Sequence, residues 1–323
     1  MKEKNTVKGV FLVAIGASSY GMLASFVKLA YKEGFTTAEV TLAQVLLGLL
    51  GVFIINLCRK KKLNEIDPSL KDIRNLMLGG TSIGLTSVLY YIAVSYIDAS
   101  IAVVLLMQSV WIGVVIESLI TKSFPSQLKI ACVVLILIGT ILATNVLGSE
   151  IQLDYRGAIF GFLGACSFAA TMYSTGEIAN HLAAPKRTMF MLFGASAIVL
   201  LFAFITQIGP NNFEKMYLFY QSFSDNSSSV RDFDWRIFYS WGILLSLFGT
   251  ILPPIFLNMG FPITGVGLGS IVSSLELPAS VTVAFFLLGE NVIFIQWLGI
   301  LIILSSIVLM NSPLLFKEKQ TTN

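Results

Sequence analysis

The chain has 323 residues, of which 55% are hydrophobic and only 12% are charged, and its mean hydropathy is +0.82. A soluble domain carries roughly 25% charged residues, so this composition excludes a soluble globular fold and predicts an all-α integral membrane protein in the lipid bilayer. The net charge of +3 and the scattered basic residues predict no nucleic-acid partner. Three cysteines in apolar runs and a single histidine predict no disulfide framework, metal or cofactor.

Apolar stretches along the chain predict ten transmembrane helices, because a helix needs about 20 apolar residues to cross the hydrocarbon. The charge-free stretches are 9–27, 40–58, 75–97, 99–116, 130–149, 157–176, 188–213, 237–275, 277–289 and 291–316. The segment 237–289 carries one charge, Glu276, and is far too long for a single crossing. We expect it to fold back at Phe261–Pro262 and Thr264–Gly265, where proline and glycine interrupt a helix.

The basic residues predict the orientation of the chain. With a cytoplasmic N-terminus and alternating crossings, 15 of the 21 lysines and arginines fall inside and 6 fall outside. Positive charge favours the cytoplasmic side of a membrane protein. Both termini are therefore predicted to lie in the cytoplasm of a multi-pass protein of the bacterial cytoplasmic membrane, with a longer loop at about 207–235 outside.

An internal repeat divides the chain. The segment Ile-Gly-Ala-Ser-Ser-Tyr-Gly at 15–21 resembles Leu-Gly-Ala-Cys-Ser-Phe-Ala at 163–169, and the segment around Gln108 resembles the segment around Glu276. The offsets of 148 and 168 residues predict one five-helix repeat in residues 1–150 and a second in 151–323. Since five crossings is an odd number, the second repeat is inverted. Inverted repeats are typical of alternating-access carriers, which bind substrate near the bilayer midplane.

Glu276 is the strongest candidate for a functional residue. It lies near the middle of predicted helix 9, where a carboxylate is costly, and Ser273 shares its helical face. Pro278 predicts a kink beside the acid. We expect Glu276, with Ser273, to bind a cationic group of a small-molecule substrate, or to carry a proton in one state of the transport cycle. A hydrogen bond that only locks neighbouring helices together is the alternative.

The repeat indicates further candidates. Gln108 occupies the position of Glu276 in helix 4, and Trp111 lies one turn away, so the pair either orients and stacks on the substrate or serves packing. Tyr20 and Phe168 are also equivalent, and the small residues around them favour close helix packing, although an aromatic ring there also suits a cavity wall. The weaker candidates are Tyr90 and Tyr91 in helix 3 and Asn258 in helix 8.

Three expectations concern interactions and coupling. Lys28 and Glu39 either form a gate pair near the outer side or extend to the interface. Gly139 and Gly299, on the predicted peripheral helices, suit a homodimer contact as well as a contact with lipid. The chain contains no G-x-x-x-x-G-K-[ST] motif, which excludes direct drive by ATP within this chain. If transport is coupled, we expect the coupling to use an ion gradient, such as protons, or a counter-substrate.

Several motifs resemble those of EamA-type members of the drug/metabolite transporter superfamily. They are the paired Gly-Ala-[Ser/Cys]-Ser segments, Leu-Leu-Met-Gln-Ser-Val-Trp-Ile-Gly at 105–113, Glu-Leu-Pro at 276–278 and Leu-Leu-Gly-Glu at 287–290. The resemblance covers about residues 8–312. It implies a ten-helix fold with a central cavity lined by helices 1, 3, 4, 6, 8 and 9, and transport of amino acids, other metabolites or lipophilic drugs. The basic residue that such proteins often carry early in helix 2 is Gln44 here, which disfavours an anionic substrate.

The sequence thus predicts a secondary-active transporter and not an enzyme. We expect export of a small metabolite, such as an amino acid or a cationic or aromatic compound, by alternating access. Uptake or exchange of metabolites is the alternative within transport. A membrane receptor or scaffold that binds a ligand without moving it is the alternative from another class.

Overall fold

The computed structural model describes residues 2–60, 65–97, 99–146, 154–221, 231–289 and 291–320, and within these ranges it is helical and contains no strand. The predicted repeat boundary at 150–151 and residues 222–230 of the predicted outer loop lie outside the described residues. The helices are α1 Lys2–Lys32, α2 Thr37–Cys58, α3 Leu70–Tyr96, α4 Ala99–Leu106, α5 Ser109–Thr121, α6 Gln127–Ala143, α7 Tyr155–Glu177, α8 Ala184–Ala203, α9 Gly209–Asn212, α10 Glu214–Gln221, α11 Gly242–Ser246, α12 Leu252–Ser273, α13 Glu276–Leu288 and α14 Phe294–Gln320. Two π-helical turns, Phe204–Ile208 and Leu247–Ile251, and a 3-10 turn, Trp235–Phe238, complete the elements.

Apolar helices account for most of the described chain. Seven segments are long and apolar enough to cross a membrane: Thr6–Lys32, Thr37–Cys58, Leu70–Ala93, Ile101–Thr121, Tyr155–Glu177, Ala184–Asn212 and Gly242–Ser273. Three shorter apolar helices cover Gln127–Ala143, Glu276–Leu288 and Phe294–Met310. The all-α membrane class is therefore confirmed, whereas the count of ten crossings and the orientation of the termini stay predictions.

Segment 237–289 folds back where the sequence predicted a break. Gly265 inside α12 has φ 75° and ψ 168°, a backbone conformation that glycine adopts without strain. A Cβ built on Gly269 would lie 2.5 Å from the Phe261 ring, although eight residues span about 12 Å in a straight helix. The two arms of α12 therefore run back along each other from Gly265.

Equivalent glycines make equivalent contacts across the two predicted repeats. A glycine of the first repeat contacts a residue of the second, and its counterpart in the second repeat contacts the equivalent residue of the first. A Cβ on Gly9 would lie 3.0 Å from the side chain of Thr264, and a Cβ on Gly157 would lie 3.0 Å from that of Tyr96. The glycines differ by 148 positions and their partners by 168, which are the two offsets of the sequence repeat. The contact of Gly16 with Leu257 and that of Gly164 with Leu89 follow the same rule. This pairwise exchange supports the predicted duplication.

The glycines that suggested a homodimer meet each other within the chain. Gly139 of α6 and Gly299 of α14 lie at one helix crossing, where a Cβ on Gly299 would come within 2.5 Å of the Gly139 carbonyl oxygen. Small residues at such a crossing let two helix backbones approach closely. The homodimer therefore stays a prediction, without the two glycines as its support.

Candidate functional site

A cavity of about 270 Å³ lies between α1, α2, α3, α4, α7, the π-helical turn Leu247–Ile251 and the start of α13. The α1 residues that line it follow helical spacing: Tyr20, Gly21, Leu23, Ala24, Val27, Lys28 and Tyr31. From Tyr20 to Tyr31 this wall extends about 16 Å along the helix axis. The cavity thus has the size and the elongated shape to hold a small organic molecule.

Five of the predicted site residues line this cavity: Tyr20, Tyr90, Tyr91, Phe168 and Glu276. The repeat-related rings of Tyr20 and Phe168 pack edge to face with centroids 6.4 Å apart, and those of Tyr90 and Tyr91 lie 5.8 Å apart. Tyr20 and Phe168 therefore show both features that the sequence suggested: their rings pack against each other, and they line the cavity. Such rings present π faces that attract cations as well as apolar groups.

Glu276 lies at a break between two helices. α12 ends at Ser273, Ser274 and Leu275 form a turn, and Glu276 opens α13, where the helix dipole favours a negative charge. Helix α1 approaches closely at Gly21, because a Cβ there would lie 2.3 Å from the Glu276 carbonyl oxygen. The Glu276 Oε2 atom is buried and has no hydrogen-bond partner among the described residues. Its carboxylate is therefore available to a ligand.

Gln108 lies at the equivalent break in the first repeat, between α4 and α5. Its Nε2 donates to the Val104 carbonyl oxygen at 3.0 Å, and its Oε1 accepts from Trp111 Nε1 at 3.0 Å. Both bonds are made within one turn of its own helix, and neither Gln108 nor Trp111 belongs to the cavity wall. A direct role for the pair in substrate binding stays a prediction.

Ser273 and Asn258 also lie outside the cavity wall. Asn258 Nδ2 donates to Thr188 Oγ1 at 3.1 Å and to the Pro254 carbonyl oxygen at 2.9 Å, so its side chain ties α12 to α8. Ser273 is buried and its Oγ has no partner among the described residues. Their roles in binding stay predictions as well.

Several wall residues were not among the predicted site residues: Lys28, Tyr31, Gln44, Thr86, Gly249 and Thr250. Lys28 and Tyr31 continue the helical spacing that begins at Tyr20, so helical periodicity could have predicted this part of the wall. Gln44, Gly249 and Thr250 come from helices that no local pattern places together.

The cavity is closed at one end and open at the other. On one side of Glu276 lies an apolar plug, formed by the buried residues Val110, Val114, Met172, Phe261, Val266 and Ile271. In the other direction, Ala24 and Lys28 line the cavity and are solvent-accessible. The cavity therefore opens toward the α1–α2 turn, the end of the bundle that the charge pattern predicts to be outside.

Glu39 organises this open end of the bundle. Its side chain is completely buried, and the cation beside it is Arg231, with Nη2 3.3 Å from Glu39 Oε2, and not Lys28, the partner considered from the sequence. Further donors to its carboxylate are the Thr36 and Asp234 backbone N–H groups and Gln207 Nε2. Hydrogen bonds from Arg236 hold the pKa of the neighbouring Asp234 below its usual range. The cluster joins the α1–α2 turn to the segment that precedes α11.

Arg187 is the counterpart of Glu39, 148 positions later and at the opposite end of the bundle. Its side chain is fully buried and donates to the carbonyl oxygens of Thr175 at 2.6 Å, Ile178 at 3.0 Å and Asn258 at 2.7 Å. The first two carbonyls lie at the C-terminal end of α7, where a helix lacks N–H partners. The third lacks its helical donor because Pro262 has no N–H. Arg187 thus satisfies three carbonyls that the helices leave free.

Apolar helices surround a central cavity lined by a glutamate whose Oε2 atom has no partner within the described ranges, an arrangement typical of a multi-pass membrane transport protein. The model of the EamA-like transporter family matches residues 7–145 and again residues 155–312. The chain belongs to the EamA-like transporter family, which confirms the resemblance seen in the sequence.

Two relatives extend this comparison. The uncharacterized inner membrane transporter YicL of Salmonella typhimurium (strain LT2) is 25% identical over 315 residues, which cover 95% of this chain and 96% of that protein. The crystal structure of a protein with 11% sequence identity has a TM-score of 0.68 and matches 96% of this chain and 98% of its own. The second comparison concerns the fold alone.

Proposed function

We propose that the protein is a secondary-active carrier that exports small metabolites with a cationic group, including amino acids and aromatic amines. The observation that carries this proposal is the carboxylate of Glu276 in a cavity walled by aromatic rings, because one of its oxygens is buried and has no partner among the residues that the structure describes. A carboxylate held in a low-dielectric site is stabilised by a cation or a proton. Tyr20, Tyr90 and Phe168 supply apolar and cation–π contacts to the rest of such a substrate.

Coupling follows from competition for one carboxylate. A proton and a cationic substrate both neutralise Glu276, so each one that binds displaces the other. Uptake of a proton from one side can then release the substrate on that side. Exchange with a cationic counter-substrate uses the same site in the same way.

Alternating access requires the apolar plug to separate while the open end closes. The break at Ser274–Leu275 and the equivalent break at Met107–Gln108 place two helix discontinuities near the middle of the bundle, as in carriers whose repeats rock around a central site. Gly265 lies beside the plug and supplies a hinge with few steric restrictions. Exchanged glycine contacts between the repeats support a related, inverted packing in the opposite state.

The proposal is tested by efflux from proteoliposomes loaded with a mixed metabolite extract and analysed by mass spectrometry, with and without an imposed pH gradient. We expect selective loss of cationic or zwitterionic compounds with the wild-type protein and no loss with Glu276→Gln. Glu214→Gln, which removes an exposed carboxylate on α10, is the matched control and should behave as the wild type. Protein-dependent binding without any efflux would instead indicate a receptor.

A further inference from the structure

Two buried side chains in the cavity wall have oxygen atoms that lack partners. Gln44 of α2 is 6% exposed and Thr250 of the π-helical turn is 2% exposed. The Gln44 Oε1 and Thr250 Oγ1 atoms are buried and make no hydrogen bond with the described residues. Leaving a buried polar atom without a partner costs roughly 1–3 kcal/mol. Natural proteins keep few such atoms, and each one calls for an explanation.

The backbone carbonyl of Gly249, a cavity-wall residue next to Thr250, supplies a third acceptor. In a helix the Gly249 carbonyl would accept from the N–H four or five residues later, and these residues are Pro253 and Pro254, which have no N–H. The Leu252 N–H donates instead to Leu247. Gly249 therefore contributes a carbonyl oxygen that its own helix cannot satisfy.

Close packing holds the three groups together. The Gln44 amide lies against the α-carbon of Gly249, since a Cβ there would be 2.6 Å from Nε2. One turn later on α2, a Cβ on Gly48 would be 2.4 Å from the Cβ of Thr250. Glycine at both places brings α2 onto the π-helical turn, and Gln44, Gly249 and Thr250 all line the same cavity as Glu276.

We propose that Gln44 Oε1, Thr250 Oγ1 and the Gly249 carbonyl oxygen form a second subsite, which accepts hydrogen bonds from the substrate. This inference rests on the proposed function and narrows it. Because Glu276 takes the cationic group, the substrate is an organic cation that carries a second N–H or O–H donor, such as a hydroxyl or a second amine. A cation with a purely apolar body leaves the second subsite unsatisfied.

Calorimetric titration of the full-length protein in nanodiscs with matched probes tests the proposal. The probes are n-alkylammonium ions of four to eight carbons and the ω-hydroxyalkylammonium ions of the same lengths, which differ by one donor. For each pair, the measured quantity is the affinity of the hydroxylated probe divided by that of the plain alkylammonium ion. At one chain length we expect this ratio to be about 5–10-fold higher in the wild type than in Gln44→Leu or Thr250→Val, which corresponds to one hydrogen bond. Because the ratio is taken within each protein, it does not depend on how much either variant changes the affinity for alkylammonium ions.

Thr140→Val is the matched control, because Thr140 is a buried threonine in α6 whose hydroxyl donates to the Ile136 carbonyl oxygen. It should keep the full hydroxyl preference. An equal preference in the wild type, Gln44→Leu and Thr250→Val would overturn the second subsite and leave the proposed function intact. If the preference for the hydroxylated probe required Na⁺, the result would overturn the second subsite and indicate an ion site instead. If no ammonium probe bound the wild type, the proposed cation site at Glu276 would fail together with the subsite.

Discussion

The two helix breaks in the middle of the bundle are equivalent in sequence but differ in how their polar side chain is satisfied. At the break between α4 and α5, the Gln108 amide bonds to the Val104 carbonyl and to Trp111. At the break between α12 and α13, Glu276 lines the cavity and has a buried oxygen without a partner in the part of the chain that the structure describes. The polar side chain at the first break is satisfied within its own helix, whereas the one at the second break is, in our proposal, satisfied by a ligand.

The same contrast extends to the other buried polar groups. Arg187 and Glu39 have several partners within the protein, and we infer that they hold the two ends of the bundle. Gln44 and Thr250 resemble Glu276, because each has a buried oxygen without a hydrogen-bond partner in the described ranges. Partnered groups should therefore affect stability, and unpartnered groups should affect binding.

The largest effect is expected for Arg187→Met. The substitution leaves three carbonyls without a donor, and at roughly 1 kcal/mol or more for each the free energy of unfolding should fall by about 3 kcal/mol. Alkylammonium binding by the folded protein should change less than about threefold. Unfolding in detergent followed by circular dichroism measures the first quantity, and Lys215→Met is the control, since it replaces an exposed lysine of α10 and should change the free energy of unfolding by less than about 0.5 kcal/mol. Equal stability of the two variants would contradict the assignment.

Glu276→Gln should weaken alkylammonium binding about 10–100-fold, because a hydrogen bond to a charged group contributes roughly 1.5–3 kcal/mol. Wild-type affinity should decrease as the pH falls, since protons compete for the carboxylate. The variant should bind with the same low affinity at every pH. Calorimetric titration across a pH series measures both, and a retained pH dependence in the variant would place the titrating group elsewhere.

Moving the carboxylate to the other break should not restore binding. In the double variant Gln108→Glu, Glu276→Gln, we expect affinity within about threefold of Glu276→Gln alone, because residue 108 lies outside the cavity wall. The same titration decides the point. Recovery to wild-type affinity would show that the two breaks are interchangeable and that the contrast between them does not hold.

The smallest effect is expected for Gln108→Leu. Trp111 loses its acceptor, which should reduce the free energy of unfolding by about 1 kcal/mol and shift the tryptophan emission. Alkylammonium affinity should stay within about twofold of the wild type. A loss of binding comparable with that of Glu276→Gln would return Gln108 to the substrate site.

Much of the candidate site was predictable because its signals are local or periodic. Glu276 was the one charge in a long apolar segment, and the repeat related Tyr20 to Phe168. Arg187 shows where such reasoning ends. The charge pattern placed it among the basic residues of the inner side. The structure buries it instead, where it donates to the Asn258 carbonyl oxygen that Pro262 leaves without a helical donor.

Composition, apolar length and the repeat were sufficient to predict a multi-pass membrane protein and to single out one acid near the middle of a predicted helix, and the motifs that resemble EamA-type transporters indicated the family. They could not decide which of two equivalent polar residues lines a cavity. They also could not reveal that Gln44 lies against Gly249 and Thr250. Hydropathy and repeats depend on residues near each other in the chain or at fixed offsets. The partners of a buried polar group come from whichever helices pack around it, and here α2 meets the π-helical turn about 200 residues later. Tertiary packing alone therefore distinguishes a buried polar group that has partners from one that lacks them within the described structure.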